Sequence, residues 1–176
     1  MSDFPEVAAR LVRAIEDWPE AGVTFRDITP LLAAPEGLRA TVDALVEAAR
    51  AFGPLDVVAG IEARGFLLAP LISEALGIGL VPVRKAGKLP ARTLAENYSL
   101  EYGEAVVEIH ADAVTEGARV LLVDDVLATG GTLAASRRLF ERAGAEVAGG
   151  LVLIELPALG GRNALGDLAL TALLEY

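Results

Sequence analysis

Apolar residues recur at three- and four-residue spacing in two segments near the beginning of the chain. Val7, Leu11 and Ile15 share one face of a helix that this spacing predicts over residues 5–17. The same spacing returns further along and predicts a second helix over residues 35–51. Each predicted helix therefore has one face that can be buried against a core.

The pattern changes after residue 55, where short continuous apolar runs alternate with helical segments. Runs of Val, Ile and Leu of this length are typical of strands in a parallel sheet that is covered on both faces. Strands are predicted over 56–60, 78–83, 119–124, 146–155 and 168–174, and helices over 65–76 and 130–143. Residues 97–110 alternate around Tyr102-Gly103 and predict an antiparallel hairpin, an excursion from the main sheet. The fold class is α/β, with a central parallel sheet flanked by helices.

Composition narrows the classes of function. The chain has 176 residues, which suits the single domain over 1–176 that we expect, and 53% of them are hydrophobic. It has no cysteine and one histidine, His110, which excludes disulfides, thiolate catalysis and Cys-based or multi-histidine metal sites. A formal net charge of -10 disfavours binding to nucleic acid or to an anionic membrane surface. Because the sequence has neither a signal peptide nor an apolar run of membrane-spanning length, we expect a cytoplasmic protein.

The strand predicted over 119–124 ends in two carboxylates, Asp124 and Asp125, and a glycine-rich turn follows. The turn reads Ala128-Thr129-Gly130-Gly131-Thr132. Glycines let the backbone approach an anion, and free amides open the next helix, so the turn suits a terminal phosphate monoester. The acids need a different partner, either a ribose diol, whose hydroxyls donate to carboxylates, or a metal ion. The alternative is structural capping of the helix by Asp and Thr side chains.

Cations follow two other predicted strands. Arg64 precedes a glycine at the start of a predicted helix, Arg84 follows the next strand, and the only two lysines, Lys85 and Lys88, come directly after it. The carboxyl ends of parallel strands meet at one edge of the sheet, so these four side chains are expected to form a positive pocket. Such a pocket suits a compact, highly charged anion such as diphosphate. The alternative is chance placement of surface cations on turns.

The segment from Val120 to Thr132 resembles the phosphoribosyl diphosphate-binding motif of the type I phosphoribosyltransferases. The resemblance implies the fold of that family, with an N-terminal hood segment over 1–34 and a flexible β-hairpin lid over 85–105. It also implies that the two acids contact the ribose hydroxyls, that the turn over 128–132 holds the 5-phosphate, and that the four cations bind diphosphate.

Three further features are implied by this resemblance. A cis peptide bond is implied at Glu62-Ala63. Mg2+ is implied as the cofactor, held mainly by the substrate and water with no direct ligand from the protein. The family is usually homodimeric, so a homodimer is implied as well.

Two more segments resemble the adenine phosphoribosyltransferases, a branch of this family. Residues 97–103 look like their flexible catalytic loop, which implies that Glu101 handles the proton of the base and that Tyr102 closes over the site. With Arg64, these are the implied catalytic residues. On the residues alone, an exposed hairpin with a solvated acid is the alternative.

Residues 21–30 resemble the hood segment of the same branch. Phe25 is thereby implied to stack on one face of the base, while Val126 packs against the other. Backbone groups are implied to read the ring edge at Val23, Thr24 and Arg26. The alternative for Phe25 is an ordinary place in the core.

The resemblance implies transfer of the phosphoribosyl group from 5-phosphoribosyl 1-diphosphate to adenine, giving AMP and diphosphate in purine salvage. Three alternatives are another purine acceptor such as guanine or xanthine, a regulator that binds the donor as an effector, and a plain phosphate-sugar binding protein. Nothing in this chemistry requires an imidazole, so His110 is interpreted as structural.

Overall fold

Two compact units, Met1–Glu47 and Ala48–Tyr176, make up the chain. The computed structural model describes residues 4–99 and 104–176. The elements that begin in the first unit are α1 (Phe4–Leu11), β1 (Arg13–Ile15), β2 (Phe25–Asp27), α2 (Thr29–Ala33) and α3 (Pro35–Arg50). The helix predicted over 35–51 is confirmed by α3, whereas α2 was not predicted.

The helix predicted over residues 5–17 is wrong beyond Leu11, where α1 ends. Residues 13–15 form β1, which pairs with β2 in an antiparallel ladder that places Arg13 opposite Asp27. The Arg13 guanidinium donates to Asp27 Oδ2 through Nε at 3.1 Å and Nη2 at 2.5 Å. Strand β2 lies outside residues 5–17, so the apolar spacing within that segment gives no information about the pairing of β1 with β2.

A mostly parallel sheet organises the second unit. Its elements are β3 (Val57–Ile61), α4 (Gly65–Leu76), β4 (Gly79–Lys85), β5 (Thr93–Ser99), β6 (Glu104–His110), β7 (Arg119–Leu127), α5 (Gly131–Arg142), β8 (Glu146–Glu155), a 3-10 turn (Pro157–Leu159), α6 (Arg162–Leu165) and β9 (Leu170–Glu175). The sheet has seven strands in the order β5-β6-β4-β3-β7-β8-β9. Strands β4, β3, β7, β8 and β9 are parallel to their neighbours in this series. The predicted α/β fold is confirmed, with element ends shifted by a few residues.

The hairpin of β5 and β6 has the predicted antiparallel pairing, but it is not an excursion from the main sheet. Strand β6 pairs antiparallel with the end of β4, placing Arg84 opposite Glu108 and Lys85 opposite Val107. The physical reason is that β4 continues to Lys85, beyond its predicted end, and so offers a free edge to β6. The hairpin therefore extends the sheet on the side of the cationic loop.

Strand β7 runs through the core. Its fully buried residues are Val120, Leu121, Leu122 and Val123. On α5, Leu139 and Phe140 are fully buried as well. Burying a side chain of this size contributes about 1.5–3 kcal/mol, so the carboxyl end of β7 is firmly held. Among the helices in the described residues, none is long and apolar enough to cross a membrane.

Asp27 organises the first unit and supports a stability prediction. Its Oδ1 accepts hydrogen bonds from the Thr29 hydroxyl and the Thr29 N–H, and its Oδ2 accepts from Arg13. These hydrogen bonds lower the pKa of Asp27 from 3.8 to about 2. The charged form is therefore favoured in the folded state, and its contribution to stability is lost as the pH falls from about 4 towards 2.

We expect Asp27→Asn to reduce the free energy of unfolding by about 2 kcal/mol near neutral pH, because hydrogen bonds to a buried charge are lost. The difference from the unchanged protein should shrink as the pH falls below 4, which denaturant titrations at several pH values measure. Asp43→Asn is the matched control, since Asp43 is exposed on α3. A pH-independent difference would contradict this account of Asp27.

Candidate active site

The order of the strands predicts where a ligand binds. From β3 the chain crosses to β4 on one side, and from β7 it crosses to β8 on the other. Right-handed crossovers then place α4 and α5 on opposite faces of the sheet. Strands β3 and β7 are neighbours, so their carboxyl ends flank the point at which the order reverses, where α/β proteins bind ligands.

A glycine brings the two strand ends into contact. A Cβ atom on Gly65, the first residue of α4, would lie 2.7 Å from the Val123 carbonyl oxygen and 3.3 Å from Asp124 Cα. Only glycine fits this position, so α4 begins directly against the second half of β7, where Asp124 and Asp125 lie, before the strand ends at Leu127. The peptide bond Glu62-Ala63 in the preceding loop is cis, which confirms the feature implied by the resemblance. This approach places Arg64 Nε 2.8 Å from Asp125 Oδ2.

The two acids predicted at the end of β7 are held differently. Asp125 has a side chain that is only 6% exposed, whereas Asp124 is half-buried. Asp124 Oδ1 accepts a hydrogen bond from the Asp125 N–H at 2.8 Å. Within the described residues Asp125 Oδ2 accepts no hydrogen bond, because its contact with Arg64 is an ion pair without hydrogen-bond geometry. That buried oxygen is an unsatisfied acceptor.

Burial governs the protonation of this pair. Burial raises the pKa of Asp124 well above its ordinary value, and the neighbouring charge of Asp125 raises it further. Burial also raises the pKa of Asp125, although Arg64 opposes the shift. The pair therefore favours a partner that supplies hydroxyl donors or positive charge.

The predicted phosphate turn encloses a small cavity at the beginning of α5. The cavity measures about 70 Å³, and its lining includes Asp124, Val126, Ala128, Thr129, Gly130, Gly131 and Thr132. Gly130 precedes α5 with φ of 80°, and no side chain caps the first turn of the helix. The amides of this turn are thus left for a ligand, as the sequence predicts for an anion.

A second glycine segment supports the turn and was missed in the sequence. A Cβ atom on Gly130 would lie 2.3 Å from the Gly161 carbonyl oxygen, and one on Gly161 would lie 2.3 Å from the Ala128 carbonyl oxygen. The adjacent Arg162 donates to both carboxylate oxygens of the buried Glu155 at the end of β8. The Gly160-Gly161-Arg162 run after a buried strand was the available signal.

The four predicted cations divide into two groups. Arg64 pairs with Asp125, and Arg84 Nε lies 3.1 Å from Glu62 Oε2. Burial alone would raise the pKa of Glu62, but hydrogen bonds from the Lys85 N–H and the Arg84 guanidinium hold it below its ordinary value. The side chains of Lys85 and Lys88 are exposed and make no ion pair with any residue that the structure describes. The lysine ammonium groups are the ones left for an anion.

The structure describes the residues implied for base binding but not those implied for proton transfer and closure. In the first unit, Val23 and Thr24 are exposed, and Phe25 and Arg26 are half-buried on β2. The Phe25 ring packs edge-on against Trp18, with centroids 4.6 Å apart, a contact that the sequence analysis missed. In the second unit, Val126 lies on β7 beside the turn. Glu101 and Tyr102 lie outside the described residues.

Known proteins are similar to this chain in sequence and in fold. Residues 27–164 match the family described as phosphoribosyl transferase domain. The adenine phosphoribosyltransferase of Thermobifida fusca is 56% identical over 172 residues, which cover 98% of this chain and 97% of the relative. The crystal structure of the enzyme of that name from Thermoanaerobacter pseudethanolicus has a TM-score of 0.93 at 44% identity, covering 97% of this chain and 99% of the other.

A third similar protein, with lower sequence identity, has a structure that contains bound ligands. The adenine phosphoribosyltransferase of Saccharomyces cerevisiae, complexed with an imino-altritol bisphosphate and adenine, has a TM-score of 0.93 at 34% identity, covering 99% of this chain and 100% of the other. Sequence, strand order and the turn after β7 therefore lead to one conclusion. This chain belongs to the phosphoribosyltransferase family, in the branch of the adenine phosphoribosyltransferases.

Proposed function

We propose that this chain transfers the phosphoribosyl group of 5-phosphoribosyl 1-diphosphate to adenine, giving AMP and diphosphate in purine salvage. This is the activity for which its relatives are named. The observation that carries the proposal is the cavity of the glycine-rich turn, which Asp124 also lines, together with the neighbouring buried Asp125 paired with Arg64. The two acids come first along the chain and can accept hydrogen bonds from the ribose hydroxyls. The glycine-rich turn follows them and can bind the phosphate that the ribose carries.

In the reaction, the bond from the anomeric carbon to diphosphate breaks and a bond to adenine N9 forms. Positive charge develops on the ribose, and negative charge develops on the departing diphosphate. We assign the ribose hydroxyls to Asp124 and Asp125, whose carboxylates also favour the positive charge on the sugar. The 5-phosphate is assigned to residues 128–132, which hold the sugar in place during the transfer.

The cations complete the donor site in this proposal. Arg64, Lys85 and Lys88 stabilise the diphosphate as its charge builds, an effect that is strongest where water is excluded. Arg84 contributes by fixing Glu62 and by adding positive charge to the same loop. Two exposed ammonium groups in a chain with a net charge of -10 create a local field that attracts the donor.

We propose Mg2+ as the cofactor. Across the described residues, no three His, Cys, Asp or Glu side chains gather so as to hold a metal ion. The carboxylate of Asp124, which is half-buried and lines the cavity of the turn, nevertheless suits a hydrated cation. Asp124 and Asp125 would hold the ion through water, and the donor's oxygens would hold it directly. When bound, Mg2+ neutralises charge on the diphosphate.

For the acceptor, we propose that Phe25 and Val126 pack on the two faces of adenine and that backbone groups at Val23, Thr24 and Arg26 read its edge. The N9 proton must leave as the new bond forms. Glu101 is proposed to assist by a hydrogen bond to the base, and Tyr102 to close over the site. These assignments rest on the resemblance of residues 21–30 and 97–103 to the adenine branch.

We further propose a cytoplasmic homodimer. The donor is highly charged and does not cross membranes unaided, so the enzyme belongs in the compartment that makes it. Leu67 on α4 and Leu80 on β4 have exposed fractions of 53% and 45%, apolar surface that a second copy can cover. Sedimentation equilibrium, which measures the mass in solution, would contradict this proposal if only monomers were found.

The activity is tested with a panel of bases. Purified protein, donor and Mg2+ are incubated separately with adenine, guanine, hypoxanthine and xanthine, and nucleotide and diphosphate are measured. We expect AMP and equimolar diphosphate with adenine, because the chain groups with the adenine branch. Turnover of another base without adenine turnover would reject adenine as the acceptor. Donor binding without turnover of any base would reject the enzyme.

Asp125→Asn tests the ribose contact. We expect kcat/KM to fall roughly tenfold to a hundredfold, because hydrogen bonds to a charged acceptor contribute about 1.5–3 kcal/mol. Asp112→Asn removes an exposed acid beyond the end of β6 and should leave steady-state kinetics unchanged. Equal kinetics for Asp125→Asn and the unchanged enzyme would rule out the assigned contact.

Lys88→Ala tests the diphosphate contact. We expect KM for the donor to rise about tenfold, with KM for adenine unchanged, because one ammonium group without a partner is lost. Initial rates with each substrate varied in turn measure both constants. A donor KM that does not change would remove Lys88 from the donor site.

A further inference from the structure

The loop that presents Lys88 is held by a buried acid to which no role has been assigned. Glu108 lies on β6 and is only 6% exposed. Its Oε1 accepts hydrogen bonds from the Lys88 N–H at 3.1 Å and the Leu89 N–H at 3.0 Å. Its Oε2 accepts from the Thr93 hydroxyl at 3.4 Å. One oxygen of Glu108 thus fixes two consecutive amides of the loop.

The Lys88 peptide is held on its other side as well. Arg84 Nη1 donates to the Lys88 carbonyl oxygen at 3.3 Å, while Glu62 accepts from both Arg84 Nε and the Lys85 N–H. The loop turns at Gly87, which has φ of 77°. Side chains from β4, β6 and the loop after β3 therefore fix the backbone of a segment whose side chains are exposed.

A buried acid so close to a proposed anion site would weaken that site if its charge faced the ligand. In the described residues, Glu108 forms no ion pair with either lysine, and backbone N–H dipoles satisfy its Oε1. The ammonium of Lys88 is therefore not neutralised by the acid that holds its backbone. Fixing the backbone reduces the conformational freedom that an exposed lysine must lose when it binds an anion.

We propose that Glu108 is a positioning residue for the diphosphate site and acts through the backbone of Lys88. The proposal rests on the proposed function, because it takes diphosphate as the anion that Lys88 binds. Glu108 itself touches no substrate. Its contribution in this proposal is the oxygen Oε1, which accepts hydrogen bonds from the Lys88 and Leu89 N–H groups, and not its negative charge.

Two substitutions of similar size separate these roles. In Glu108→Gln, the amide oxygen can take the place of Oε1 and accept both N–H groups, so donor KM should remain within about twofold of that of the unchanged enzyme. In Glu108→Met, the volume is kept and the acceptor is lost, so donor KM should rise about tenfold while adenine KM stays constant. Equal effects of both variants on donor KM would overturn the proposal.

A double-substitution cycle then tests the route through Lys88. If Glu108 acts through that residue, Glu108→Met should add little to donor KM in a Lys88→Ala background. Effects that multiply independently would overturn the proposal. So would a Glu108→Met enzyme with unchanged donor KM beside a Lys88→Ala enzyme with raised donor KM, a result that leaves the proposed function standing. An unchanged donor KM in Lys88→Ala itself would overturn this proposal and remove Lys88 from the donor site, while formation of AMP from adenine would still support the proposed function.

A matched control and a second measurement cover loss of stability. Ser73→Ala removes a partly buried hydrogen bond from the Ser73 hydroxyl to the Ile78 carbonyl oxygen, which lies just beyond the C-terminal end of α4. This variant should have a lower Tm and an unchanged donor KM. Should Glu108→Met not fold, amide hydrogen exchange in the unchanged enzyme and in Glu108→Gln decides the matter. Protection of the Lys88 and Leu89 amides is expected in both proteins. Fast exchange of both amides would overturn the proposal.

Discussion

Withdrawing two adjacent carboxylates from water, Asp125 almost completely and Asp124 in part, is unfavourable, and the site depends on how that cost is reduced on β7. Burial raises the pKa of Asp124 and of Asp125, so both carry charge at an energetic disadvantage. The compensation is Arg64, which reaches Asp125 because Gly65 has no side chain to separate α4 from β7. The compensation is incomplete, since one buried oxygen of Asp125 still lacks a hydrogen bond among the described residues.

The same principle explains how an acidic chain can hold cations ready for an anion. Acids near the cationic loop bind backbone or arginine, as Glu62 does with the Lys85 N–H and the Arg84 guanidinium. Glu108 likewise bonds to amides. The loop is thereby ordered by negative groups, yet the ammonium groups of the lysines are left without a carboxylate in the described part of the chain. In Lys85 and Lys88 the backbone N–H is held by an acid, while the side-chain ammonium carries the positive charge that remains for an anion.

The sequence predicted those elements that depend only on neighbouring residues along the chain. The apolar run over 120–123 and the glycines after it predicted both β7 and the turn, because burial and backbone freedom are properties of single positions. Residues 13–15 were misassigned because their strand exists only through pairing with β2. The join between β6 and β4, the contact of Trp18 with Phe25 and the support of the turn by Gly161 likewise depend on partners distant in sequence. Spacing along one segment contains no information about such partners.

The contacts of Gly130 with Gly161 have a further consequence for the turn. The beginning of α5 and the segment after β8 lie so close that neither position accommodates a Cβ atom, and Glu155 with Arg162 holds that segment to the end of its strand. The phosphate turn is therefore fixed by two neighbouring strands rather than by its own hydrogen bonds alone. A turn held in this way would lose little conformational freedom on binding an anion. All residues assigned to the donor lie in the unit Ala48–Tyr176, whereas most residues assigned to the base lie in Met1–Glu47. The contacts that fix the turn all lie within the second unit, so they do not involve the segment to which base binding is assigned.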